Sequence, residues 1–86
     1  MLIINLSYVM KHNVNLNLKS IINDNNLSTN EKVILTEKLL NTAKKFNLIN
    51  DQQVLVLLDL LLEYNTYFDT RENLLDMYIE RIDAFF

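Results

Sequence analysis

Asp51-Gln52-Gln53-Val54-Leu55-Val56-Leu57-Leu58-Asp59-Leu60-Leu61-Leu62-Glu63-Tyr64-Asn65-Thr66 decides the fold class. Wound at 100° per residue, it confines Gln52, Asp59, Glu63 and Thr66 to one narrow strip. Val54, Leu55, Leu57, Leu58, Leu60, Leu61 and Leu62 cover most of the remaining circumference. A helix that is apolar nearly all round has to be covered on several sides. The apolar run from 54 to 62 is about half of what a bilayer crossing needs and contains Asp59. Asn50 with Gln53 three residues on has the spacing of a capping box, which starts the helix at Asp51. The expectation is a central helix over 51–66 in an all-α domain, with an oligomer interface as the competing use of its surplus apolar surface.

Helical patterns flank it on both sides. Ser28 and Glu31 form another capping box, and a helix over 29–46 follows. Its apolar face is read as Leu35, Leu39, Ala43 and Phe46, flanked by Val33 and Leu40, with Ile34 stranded among polar residues. Lys44 and Lys45 suit a helix C-terminus through the macrodipole, and Asn47 sits where a left-handed cap is needed. After 51–66, a third helix is expected over 69–86, with Asp69 and Glu72 as its candidate box. Leu74, Leu75, Tyr78, Ile79, Ile82, Phe85 and Phe86 share one arc of it, spaced as a core stripe.

The first part of the chain carries two conflicting periods. Leu2, Ile3, Leu6, Val9 and Met10 are spaced for a helix, as are Val14, Leu18, Ile21 and Ile22, with Leu16 on the wrong side. Residues 13–19 alternate strictly between polar and apolar, a strand signal that makes a hairpin the competing reading. With no turn-forming glycine nearby, two short helices within 2–23, broken near residues 11–15, are expected. Residues 23–26, Asn-Asp-Asn-Asn, read as a loop. The fold expected is a compact all-α bundle of four to five helices forming a single domain over 1–86, the size of one modest core.

The 86 residues contain neither glycine nor proline, where average usage would give about ten. That excludes a glycine-rich phosphate loop and leaves the thirteen asparagines to supply left-handed positions and caps. Scarce Ala, Gly, Pro and Arg beside abundant Asn, Ile and Leu is what AT-rich codons encode, and it fits a phage or bacterial source. No cysteine is present, so disulfides, thiolate catalysis and cysteine-based zinc sites are excluded. The apolar start lacks a basic leader and a small-residue cleavage site, so no signal peptide is read and a cytoplasmic location is expected.

Catalysis finds little support. His12 is the single histidine and has no acid fixed beside it in sequence. Ser7, Ser20 and Ser28 have no triad context, and Ser28 is already engaged as a cap. Carboxylate metal sites in bundles use Glu-x-x-His, which is absent; Asp59 with Glu63 and Asp76 with Glu80 are solvated helical pairs. Neither enzymatic activity, a metal nor a cofactor is expected. Direct nucleic-acid binding is disfavoured by a pI near 4.9 and by the grease of 51–66, which cannot lie in a wet groove.

Charge is the one feature that points outward. Residues 1–50 sum to +3 and residues 51–86 to −6. Asp69, Glu72, Asp76, Glu80 and Asp83 fall on one ridge of the last helix, about 21 Å long. Each i,i+3 or i,i+4 pair of like charges costs a helix about 0.2–0.5 kcal/mol, so a ridge of five is not selected by helix stability. Arg71 and Arg81 lie off that arc and are too few to neutralise it. The functional expectation is a small non-enzymatic binding protein whose acidic last helix engages a basic surface on a protein partner. An inhibitor or immunity-type role is its sharpest form. The alternative is a helical adaptor, chaperone or assembly factor acting through apolar contacts or homodimerisation, with Ile34, Phe85 and Phe86 as its surface.

Overall fold

The computed structural model describes residues 6–66 and 71–86, and within them the chain is helical between short loops. Four helices follow in order: α1 (Leu6–Ile22), α2 (Thr29–Lys45), α3 (Asp51–Thr66) and α4 (Arg71–Phe85). Each packs on two others: α1 on α2 and α4, and α3 on α2 and α4. The diagonal pairs, α1 with α3 and α2 with α4, make no backbone approach. The result is a four-helix bundle with one helix at each corner, and α3 with α4 is its most extensive seam.

Local chemistry sets the helix ends. Ser28 accepts a hydrogen bond from the Glu31 amide at 3.2 Å, and the Glu31 carboxylate accepts from the Ser28 amide at 3.2 Å. The Asn50–Gln53 pair does the same at 2.8 and 3.1 Å. Both boxes satisfy amides that the first turn leaves without partners. At the other end of α2, Asn47 adopts φ 59°, the one positive φ among the described residues. The Asn47 amide donates to the Lys44 carbonyl and the Leu48 amide to the Ala43 carbonyl, both at 3.0 Å. That is a Schellman motif with asparagine in the place glycine usually takes, and its hydrophobic pair, Ala43 and Leu48, is buried. After α1, the Asp24 carboxylate accepts from the Asn26 amide at 2.9 Å and turns the chain. Lys32 reaches back to donate to the Ile22 carbonyl at the end of α1, also at 2.9 Å.

The core is one cluster built from all four helices and the α2–α3 loop. Val14, Leu18 and Ile22 come from α1, Leu40 and Ala43 from α2, Leu48 and Ile49 from the loop. Val54, Leu57, Leu60 and Leu61 come from α3, and Leu74, Tyr78 and Ile82 from α4. At about 1.5–3 kcal/mol for each large aliphatic or aromatic side chain fully removed from water, this cluster is the main stabilising term.

Three expectations need correction. The N-terminal region is one continuous helix from Leu6 to Ile22, neither two short helices nor a hairpin. Met10, Val14, Leu18 and Ile22, four apart, fix a single face through the expected break, Met10 partly buried and the other three buried. The strand-like alternation at 13–19 arises because Leu16 points away from the core and is half exposed. No glycine or proline is available to interrupt such a helix. The core face of α2 is also rotated from the one read in sequence. Thr36, Leu40 and Ala43 are buried, whereas Leu35 and Phe46 are exposed. As a corner helix α2 turns the arc between its two neighbours inward, and that arc includes a threonine. Finally, α3 is a corner helix like the others, so its surplus grease is partly uncovered: Leu55 and Leu62 are exposed. The reading of residues 2–5 as helical, and the Asp69–Glu72 box, lie outside the described residues.

Candidate functional site

The acidic ridge is positioned by the apolar stripe on the opposite side of α4. Leu74, Tyr78 and Ile82 are buried, and Leu75, Ile79, Phe85 and Phe86 pack partly buried against the same core. With that face held inward, Glu72, Asp76, Glu80 and Asp83 are all exposed. Asp69, the fifth residue of the expected ridge, lies outside the described residues.

The four described carboxylates are not equivalent. Asp83 Oδ1 accepts from Lys19 Nζ at 2.6 Å and from the Asn15 side-chain amide at 3.0 Å, so it ties α4 to α1. The Lys19 ammonium, aided by Asn15, holds the Asp83 carboxyl below the usual aspartate range. Glu72, Asp76 and Glu80 form the other group. They sit four residues apart within an arc of about 80° and span about 12 Å. The ion pairs among the described residues are Lys19–Asp83 and Lys44–Asp51, the latter at 2.9 Å, and neither involves these three.

The lysines of α2 do not neutralise this strip, because α2 occupies the diagonally opposite corner. Lys44 is directed instead to Asp51 at the start of α3. One reach across the diagonal runs through the interior. Tyr78, 1% exposed, extends from α4 toward the buried Thr36 of α2. Burial pushes its phenol up to about 12, with the Thr36 hydroxyl offsetting this in part, yet its Oη has no hydrogen bond of regular geometry.

The apolar alternative divides. Ile34 is 52% exposed on α2, while Phe85 and Phe86 are partly buried against the core at the end of α4. Asn15 and Lys19 are the partners that sequence reading missed. Once Val14 and Leu18 are placed on one continuous stripe, residues 15 and 19 flank it on a single edge, and that was the signal. His12 is exposed. Among the described residues there is no grouping of three or more potential metal ligands, and no helix is long and apolar enough to cross a membrane. Comparison with family models, curated proteins and solved structures finds no match for this chain.

Proposed function

We propose that this protein is a small binding module whose α4 strip, Glu72, Asp76 and Glu80, engages a basic surface on a protein partner. The observation that carries the reading is the lack of any internal cation for these three carboxylates among the described residues. Their like-charge spacing costs α4 about 0.2–0.5 kcal/mol per i,i+4 pair, and no ion pair among the described residues offsets it. A partner's lysines and arginines would relieve that repulsion and steer encounter over a Debye length of about 8 Å at physiological salt. Asp83 belongs to the scaffold in this reading: its bond to Lys19 fixes the end of α4 and so the direction in which the strip faces. An inhibitor or immunity-type protein, acting by covering a basic groove, is the form that suits a rigid acidic helix of this length.

The test is affinity capture from the native host, with the wild type beside an Asp76→Lys, Glu80→Lys double variant. A partner with a basic surface that the wild type retains, the double variant loses, and rising salt elutes steeply is the expected result. Capture unchanged by charge reversal, with both proteins equally helical by circular dichroism, refutes the acidic strip as the binding surface. An Asp59→Lys, Glu63→Lys variant on α3 is the control and should bind as the wild type does.

A further inference from the structure

We propose that the outward face of α1 is a helix–helix seam that pairs two copies of this chain in parallel. Leu6, Val9 and Leu16 are 69%, 43% and 51% exposed, on the side of α1 away from Val14, Leu18 and Ile22. With the exposed Asn13 and Ser20 they run 6, 9, 13, 16, 20, in steps of three and four. That is a heptad a/d stripe, the narrow seam of a two-stranded coiled coil rather than the wider face of a core helix. The other face of α1 is already used by the bundle, and among the described residues no helix packs on this second stripe.

Three observations favour a second copy over a foreign partner. The first is charge: the basic residues of α1 are Lys11, His12 and Lys19, none on an a or d position, α1 has no acid, and Lys19 is held by Asp83. The a/d stripe of α1 is uncharged, so it meets its own copy without like-charge contact and gains nothing from an acidic or basic partner. The second is Asn13, an a-position asparagine in the middle of the stripe. An apolar partner would bury its amide without a hydrogen bond, whereas a parallel copy brings the identical amide to the same layer.

The third is area. The stripe continues into a groove of about 410 Å³ between α1 and α2, lined by Asn17, Ser20, Ile21, Leu35 and Leu39, with Asp24 and Leu27 at its end. A face two helices wide and about 25 Å long has a footprint on the order of 500 Å². Its corrugated accessible surface is larger, and approaches the roughly 600–800 Å² per partner at the low end of specific interfaces. With three apolar layers and two polar ones, the dimer is a weak one. It leaves the α4 strip free, so the proposal stands or falls independently of the acidic binding surface.

Sedimentation equilibrium of the full chain from about 1 µM to about 1 mM covers the affinities expected of such an interface. The wild type should pass from monomer to dimer in that range. Leu16→Lys should raise the dissociation constant at least about tenfold with unchanged helicity, because its side chain is outside the core. In a chain without cysteine, Asn13→Cys should cross-link into a covalent dimer under mild oxidation, since an a-layer pair lies within disulfide reach. Ile34→Cys on α2 should not. A wild type that stays monomeric throughout overturns the proposal. So does a dimer indifferent to Leu16→Lys, or equal cross-linking at positions 13 and 34.

Discussion

Lys19 Nζ and Asp83 Oδ1 lie 2.6 Å apart and join the first helix of the bundle to the last. Their helices, α1 and α4, share the least extensive of the four seams, and this contact closes the ring that α1–α2, α2–α3 and α3–α4 leave open. Both side chains are partly solvated, so the pair acts more as a register mark than as a source of stability.

Removing the lysine should therefore act locally. In the wild type, Asp83 should titrate below the ordinary aspartate range, and in Lys19→Ala it should return toward it, as read by carboxyl NMR shifts. Because the folded-state value is depressed, the stabilising contribution is present above the unfolded aspartate pKa and is lost as pH falls through the folded one. Hydrogen exchange in Lys19→Ala should quicken along α1 before it does along α3. Uniform quickening across all four helices would show that the contact is not confined to the α1–α4 seam.

Burial in the core raises the Tyr78 phenol to about 12. A raised folded-state value means that its contribution is intact below the unfolded tyrosine pKa, about 10, and lost as pH climbs from there toward about 12. Two pH units at 1.36 kcal/mol each correspond to a loss of about 2–3 kcal/mol over that window. Tyr78→Phe should lack that alkaline slope, so the difference between the two proteins' stabilities from urea unfolding should change with pH over this window. At neutral pH the same substitution should be nearly neutral or stabilising by up to about 1 kcal/mol, because it deletes a buried hydroxyl without a regular hydrogen bond.

Asn47 tests how a chain without glycine ends a helix. At φ 59° it pays a steric cost that glycine does not. Asn47→Gly should be neutral or stabilising by up to about 1 kcal/mol, and Asn47→Ala should destabilise by about 1 kcal/mol. Thermal unfolding of the three proteins side by side checks the order Gly, Asn, Ala.

The two capping boxes should be additive. Ser28→Ala and Asn50→Ala each remove one reciprocal pair at the start of a different helix. Each should cost about 1 kcal/mol, and the double variant about 2, since they share no partner. A double variant much less stable than that sum would mean that α2 and α3 do not form their first turns independently.

What the sequence determined by itself is local. Ser28 with Glu31, Asn50 with Gln53, and Asn47 are readable because a cap needs only residues within one turn of each other. The apolar arc of α4 is readable too, since each of its seven members has another three or four residues away. Tertiary structure decided everything that depends on which helix lies beside which. The face of α2 could not be read from its own apolar residues, because a buried Thr36 and an exposed Phe46 reverse the usual sorting. The continuity of α1 followed from neighbours that cover Val14, Leu18 and Ile22, overriding an alternation that locally resembles a strand. The acidic ridge shows both kinds of determination. Its charge and spacing are written in the chain, but only the bundle separates Asp83, anchored by Lys19, from Glu72, Asp76 and Glu80, which face away from the α2 lysines. Charge pairing acts over a few ångströms across helices far apart in sequence, and no period along the chain encodes it.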